Sequence, residues 1–445
     1  MSSEQLTSLA STSPSACRPL TSRAHAAELD RSPVAPRHVG NLLQRTARRI
    51  VANHLEQISR DQLLLEEPGN TRRFGVSHVP ELSGHLRIRS PAFFTRAVRH
   101  GALGVAESYL AGEWDSADLT EFFRVMLRNE QVLTRLKSWL TAAAGVGTRL
   151  QHALRSNSRY GSRRNIREHY DLGNEFFRLF LDDTMMYSAA VFPSPECDLR
   201  SASLHKLDLV CRTLELCPAD HVIEIGTGWG GFAEHAATRF GCRVTTTTIS
   251  DEQFQYARQR IADAGLSERV TVLRQDYRDL TGRYDKLVSI EMIEAVGRRY
   301  LPEFFRVCHQ LLRPAGSMLI QAITMPEQRH ARYAGSVDFI QKYIFPGGYL
   351  PSVTELQLCA SCGTSLRLLN LRDFGLDYAR TLSHWNARFH TQLDRVRQLG
   401  FSERFIRMWR YYLCYCEAAF LERATGVVQA VWATPGSPLM PDAGQ

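Results

Sequence analysis

Along the chain, apolar residues first fall into a rhythm after Gly40, at Leu42, Leu43, Ile50, Leu55 and Ile58. They recur at Leu86, Ile88, Phe93, Phe94 and Val98, and again at Tyr109, Trp114, Leu119, Phe122 and Phe123. This spacing predicts a small mixed domain over 39–130. From position 220 the pattern changes, and short aliphatic or β-branched runs alternate with longer amphipathic segments. Strands are predicted at 222–225, 243–249, 270–273, 284–290 and 317–322, with helices at 231–240, 252–264 and 302–312. A strand at 366–371, a long helix at 403–423 and a last strand at 427–432 complete the series. Strands alternating with helices in this way predict an α/β fold built on a doubly wound, mostly parallel sheet.

Three segments stand outside the rhythm. Residues 1–38 are rich in Ser, Pro, Ala and Arg and read as a disordered leader, and 435–445 as a disordered tail. Residues 131–164 form a basic linker or helices. From Arg135 to Arg167 the chain carries Arg149, Arg155, Arg159, Arg163 and Arg164 and no acidic residue. Such a run is ordinarily a solvated face, and beside a lipid enzyme it also suits phospholipid head groups.

Composition changes this picture little. Hydrophobic residues at 44% and charged residues at 22% match a globular protein. No stretch approaches the ~20 apolar residues of a membrane span, and no signal-peptide core opens the chain, so a cytoplasmic location is expected. The net charge of +8 suits an acidic partner. Aromatic residues are not interleaved with the Lys and Arg run, which argues against nucleic acid and leaves a peripheral contact with an anionic membrane face. A homodimer is compatible with all of this. The ten cysteines read as reduced thiols; the Cys359/Cys362 pair lacks a matching second pair, so no metal is expected.

After the first strand of the large sheet comes Glu224-Ile225-Gly226-Thr227-Gly228-Trp229-Gly230-Gly231, opening a helix. Glycines there let the backbone turn sharply and approach a ligand, and the helix start favours negative charge. The GxGxxG pattern alone is weak evidence for a dinucleotide. The second strand ends Thr245-Thr246-Thr247-Thr248-Ile249-Ser250 without the acid that would hold a nicotinamide ribose. Glu224, two residues before the first glycine, stands where methyltransferases steady the loop near the methionine moiety of their cofactor.

Several unusual stretches follow one another in a single order: His169-Tyr170-Asp171-Leu172-Gly173-Asn174, Met185-Met186-Tyr187-Ser188-Ala189, the glycine turn, and Thr248-Ile249-Ser250 with Gln253. Then come Gln275-Asp276-Tyr277-Arg278-Asp279-Leu280, Ile290-Glu291-Met292-Ile293-Glu294, Tyr343-Ile344-Phe345-Pro346-Gly347-Gly348 and Phe374-Gly375-Leu376-Asp377-Tyr378. Over about 165–432, and more weakly 104–114, the chain resembles the bacterial cyclopropane fatty acid synthases, including the mycolic acid cyclopropane synthases. The resemblance implies a Rossmann-like seven-stranded methyltransferase sheet within a domain over 165–434 carrying lipid-binding insertions. It also implies S-adenosylmethionine as cofactor and unsaturated phospholipid acyl chains as substrate. Tyr187, Ser188, Gly226, Gly228, Thr248, Ile249, Gln253, Asp276 and Tyr277 would line the cofactor, together with Glu224, Trp229 and Gly230 of the turn. Tyr187 and Tyr277 have an equally ordinary alternative as core residues. Phe176, Phe177, Phe180, Met185, Met186, Phe192, Phe339, Phe345 and Phe389 are collective candidates for an acyl tunnel, with plain core as the alternative.

Methyl transfer to an alkene leaves a carbocation, so a base is needed in a site closed to water. Loss of a proton from the new methyl closes a cyclopropane; loss from the chain leaves a branched olefin, which a reductase would convert to a methyl branch. The resemblance implies a bicarbonate ion as base, held at five positions. Glu294, the backbone of Ile323 and Tyr378 match, whereas Ala189 stands for a cysteine and Gln321 for a histidine. Ala295 stands where many members carry another histidine. The Ala189 N–H and the Gln321 amide still offer hydrogen bonds to an anion. Glu294, oriented by Tyr378 directly or through the anion, is the expected proton acceptor, with a buried salt bridge as its alternative. The departures leave cyclopropane and methyl- or methylene-branched products, including furan precursors, both open. A noncatalytic lipid-binding module is the reading from another class.

Overall fold

The computed structural model describes residues 41–76, 80–131 and 172–439. The leader 1–38, the basic segment from 132 on, His169-Tyr170-Asp171 and residues 440–445 lie outside the described residues.

The chain enters through helix α1 (Leu42–Leu55). Asn41 caps it, accepting from the Gln44 N–H while the Gln44 side chain accepts in return from the Asn41 N–H. Strands β1 (Gln62–Glu67), β2 (Asn70–Gly75), β3 (Ser83–Ile88) and β4 (Trp114–Asp115) form a sheet of order β2-β1-β3-β4. Leu63 and Leu65 alternate with the partly exposed Gln62, Leu64 and Glu66 on β1 and face the core, as a half-buried strand requires. Helices α2 (Ala92–Leu110) and α3 (Leu119–Arg128) cover this sheet.

After α4 (Asn174–Arg178) and α5 (Leu199–Thr213) the large sheet begins. Its strands are β5 (His221–Ile225), β6 (Arg243–Thr248), β7 (Val270–Arg274), β8 (Tyr284–Ile290), β9 (Leu312–Thr324), β10 (Arg367–Asp373) and β11 (Gly426–Ala433). Their order is β10-β11-β9-β8-β5-β6-β7, parallel from β7 to β9, with β11 inserted antiparallel between β9 and β10. The seven strands match the expectation, although β9 starts at Leu312 rather than 317. Helices α6 (Gly231–Phe240), α7 (Asp251–Asp263) and α8 (Leu301–Leu311) connect the parallel strands. Short helices α9 (Glu327–Ala334), α10 (Phe339–Tyr343) and α11 (Val353–Ser361) lie between β9 and β10. Helices α12 (Gly375–Thr391), α13 (Leu393–Gln398) and α14 (Glu403–Leu421) separate β10 from β11.

Two apolar clusters sandwich the large sheet, one around Leu287, Phe304 and Trp432 and the other around Val222, Phe232 and Val431. A third runs without a polar break from Leu63, Phe94 and Trp114 into Phe176, Trp385 and Trp409. The small sheet therefore shares its core with α14. Arg407 reinforces the seam by donating to the carbonyls of Tyr109 (2.6 Å) and Trp114 (2.8 Å). Glu422 accepts from Arg124 at 2.6 Å and from Arg128 at 2.7 Å. The expected tail is corrected in part: Leu439 is 6% exposed and packs into the second sheet cluster, so the chain stays docked to at least that point. Among the described residues, no helix is long and apolar enough to cross a membrane.

Candidate active site

The strand order reverses between β5 and β8, and in open α/β sheets a crevice forms at that point beyond the strand ends. One cavity of about 430 Å³ opens there, bounded by residues that follow β5, β6, β7, β8 and β9 and by α14.

Its polar half is built on the glycine turn. Gly226 has φ 104, and a Cβ placed on it would stand 2.9 Å from Cβ of Met292, so only glycine fits both the turn and the space. The Gly226 and Thr227 N–H groups donate to the Thr247 carbonyl at 3.1 and 3.0 Å, which joins the turn to β6. Glu224 is 2% exposed and accepts from Thr246 Oγ1 at 2.6 Å; burial pushes its carboxyl up to about 8. Lys206 is fully buried nearby and donates to Ser188 Oγ at 2.8 Å; burial lowers its pKa to about 8 against the pull of Glu291, Asp182 and Glu224. Thr248 Oγ1 donates to Gln253 Oε1 at 2.9 Å. The Asp276 carboxylate is held by Arg278, with Nη2 at 2.7 Å from Oδ2. Tyr187, Ser188, Glu224, Gly226, Gly228, Trp229, Thr248, Ile249, Gln253, Asp276 and Tyr277 all line the cavity. Gly230 does not: at φ 84 it is the N-cap of α6 and faces Ala257. Trp229 also has a structural task, since its Nε1 donates to Asn174 Oδ1 at 2.6 Å and its ring packs on Phe177.

Two carboxyls stand at the centre, three residues apart at the end of β8. Glu294 Oε1 accepts from the Ile323 N–H at 2.6 Å, while Oε2 is buried and accepts nothing. Among the described residues no cation pairs with it, unlike in the salt-bridge alternative. Burial first, and the neighbouring Glu291 second, push its carboxyl up to about 8. Glu291 is the residue the sequence reading passed over. Its Oε1 accepts from the Ala189 N–H (2.8 Å) and Gln321 Nε2 (2.8 Å), and its Oε2 accepts from Tyr378 Oη (2.8 Å). The Tyr378 hydroxyl thus serves Glu291, which corrects the expectation that it orients Glu294. Ala189 and Gln321 lie behind Glu291 rather than on the cavity wall, and Gln321 is itself fixed by Gln429 Nε2 donating to its Oε1 at 3.0 Å. Glu291 has φ 48, a left-handed conformation costly for a residue with a side chain and most often kept where function demands it.

The apolar half differs from the expected tunnel. Met185, Met186 and Phe345 line it, but Phe176, Phe177, Phe180 and Phe389 form a ring cluster inside the core. Phe339 packs on Tyr343 and Tyr411, and Phe192 stacks on His384. The wall comes instead from Ile340, Leu382, Tyr412, Tyr415 and Phe420 on α10, α12 and α14. At the open end stand Arg329 and Arg332 of α9, both paired with Glu130; the Arg332 side chain is 59% exposed. Among the described residues no His, Cys, Asp and Glu side chains gather as a metal site.

The family profile for mycolic acid cyclopropane synthetases matches residues 157–430, well over half of the chain. This chain belongs to that family. Within it, the chain is 41% identical over 358 residues to the tuberculostearic acid methyltransferase of Mycobacterium tuberculosis, covering 79% of this chain and 83% of the relative. It is 35% identical over 373 residues to the cyclopropane-fatty-acyl-phospholipid synthase of Escherichia coli, covering 81% and 90%. The crystal structure of a mycolic acid cyclopropane synthase complexed with SAH and CTAB superposes with a TM-score of 0.58 at 31% identity, over 61% of this chain and 98% of that one. Family and fold make the chain an S-adenosylmethionine-dependent methyltransferase.

Proposed function

We propose that the enzyme moves a one-carbon unit from S-adenosylmethionine to the double bond of an unsaturated phospholipid acyl chain and closes a cyclopropane. The observation that carries this reading is the single cavity joining the glycine turn to an aromatic slot, with two carboxyls between them. The cradle suits the cofactor: close backbone at Gly226, a Gln253 amide in reach of a ribose hydroxyl, and buried acid groups for a sulfonium. When bound, the cofactor supplies an electrophilic methyl that needs no metal.

The protein's own groups do the rest. Tyr187, Tyr378 and Tyr412 all line the cavity, and ring faces stabilise a cation such as the one that methyl transfer leaves on the chain. The closed aromatic wall keeps water from trapping that charge. Arg329 and Arg332 at the cavity mouth suit a lipid phosphate, and with the net charge of +8 they favour peripheral contact with an anionic membrane.

A second reading, in which the product is a methylene- or methyl-branched chain, is favoured by the replacement of cysteine and histidine with Ala189 and Gln321. The 41% identical relative named as a tuberculostearic acid methyltransferase supports the same reading. The test incubates purified protein with methyl-labelled S-adenosylmethionine and vesicles of unsaturated phosphatidylglycerol. Without a reductant the second reading stops at the methylene product, which gains the same CH2 mass as the ring, so ozonolysis separates the two. Label that never enters the lipid refutes both.

A further inference from the structure

The anion that the family resemblance implies does not fit this site. The groups left to hold it, the Ala189 N–H, the Gln321 amide and the Tyr378 hydroxyl, already converge on one carboxylate of the chain itself, at 2.8 Å each. A free anion would have to displace Glu291 from all three donors and stand beside its charge. Buried polar groups with filled hydrogen bonds resist such exchange, and two like charges in a buried site repel strongly. The backbone is also committed, because Glu291 is held at φ 48 by its N–H bond to the Gln321 carbonyl at 2.8 Å.

We propose that Glu291 is the built-in base of this enzyme and occupies the place of a diffusible anion. The proposal rests on the methyl-transfer reading above. The alkene π pair forms the new C–C bond to the methyl carbon as the S–C bond breaks, and the electrons of that bond stay on sulfur. Positive charge is left on the neighbouring chain carbon. Glu291 takes one proton from the new methyl, and the freed C–H pair closes the ring; after a hydride shift along the chain, the same proton loss gives an exocyclic methylene. The proton passes to water when the product leaves. Burial raises the Glu291 pKa, and the three donors and Lys206 oppose it by favouring the ionised form; the donors also aim the carboxylate before the cation forms, which is the preorganisation that catalysis by a fixed base requires. Lys206, buried and donating to Ser188, the residue before Ala189, supplies the balancing positive charge.

The experiment measures labelled methyl transfer to phospholipid vesicles by the full-length enzyme, first in carbonate-free buffer and then with bicarbonate added. Wild-type turnover is expected to be the same in both. Glu291→Gln is expected to keep its affinity for neutral S-adenosylhomocysteine and to lose turnover by ~10²–10⁴-fold. A wild-type enzyme that depends on added bicarbonate overturns the proposal, as does a Glu291→Gln variant within about threefold of wild type. Should that variant fail to fold, Glu291→Gly replaces it: glycine suits the left-handed backbone and leaves an anion-sized gap among the same donors. It is expected to be silent without carbonate and to regain turnover about tenfold or more with it. A Glu291→Gly variant fully active in carbonate-free buffer also overturns the proposal. Absence of any transfer by the wild type would instead refute the methyl-transfer reading itself.

Discussion

Replacing Glu294 with Gln should change how the protein's stability responds to pH. In the folded protein burial pushes this carboxyl up to about 8, against an ordinary value of 4.5. The folded state therefore holds a proton that the unfolded chain releases in between, and stability falls as pH rises through that window. Between pH 6 and pH 8 the loss from this one group is at most about 2 kcal/mol. For a body of this size that corresponds to roughly 2–3 °C in Tm. Gln reproduces the shape of the protonated acid, keeps the bond from the Ile323 N–H and cannot ionise. Scanning fluorimetry on wild type and Glu294→Gln at both pH values should show a smaller fall in the variant. The ligand adds a second readout: a cationic cofactor favours ionised carboxyls, so affinity for S-adenosylmethionine should rise with pH, and less steeply in the variant. Neutral S-adenosylhomocysteine should show little of this rise. Equal pH slopes of Tm in wild type and variant would refute the assignment of a raised carboxyl to this position.

Gly226→Ala would put a Cβ 2.9 Å from Met292 at φ 104, so a loss of ~1–3 kcal/mol in stability is expected together with weaker cofactor binding by calorimetry. Unchanged affinity would mean that the backbone there does not approach the ligand. Lys206→Met removes the cation buried among Glu224, Asp182 and Glu291 and should cost about 3–5 kcal/mol, read as a lower urea midpoint. Arg407→Ala removes two bonds to backbone carbonyls and a guanidinium lying 3.9 Å over the Tyr109 ring, a loss of about 2–3 kcal/mol. Limited proteolysis should then cut between the small sheet and the rest before the large sheet opens.

The large sheet was legible because each strand is a short buried run bounded by turn residues, and because the helices between strands keep their own period. Predicted bounds for the helix after the glycine turn coincide with α6. The small sheet was read only as a mixed domain: β2 is a run of Asn-Thr-Arg-Arg-Phe-Gly whose pairing with β1, not its hydrophobicity, makes it a strand. Most cofactor positions were legible because they sit at strand ends in local motifs. Glu291 was not, since its partners come from positions 189, 321 and 378 and meet only in the folded sheet. Its one sequence signal was a second glutamate at the end of a predicted strand, where α/β enzymes place working groups. The acyl wall was misread for the related reason that a phenylalanine shows its hydrophobicity in sequence but not its direction. The wall residues Tyr412, Tyr415 and Phe420 belong to the long helix predicted at 403–423, none of whose residues was among the tunnel candidates.

The contact of Glu107 with Lys342 (2.7 Å) and Tyr343 (2.9 Å) ties helix α2 to α10, next to the stretch that walls the cavity. The cavity wall thus rests on two distant parts of the chain. A chimera that swaps the first 130 residues for those of another family member would alter which acyl chains fit while every group that handles the methyl stayed in place.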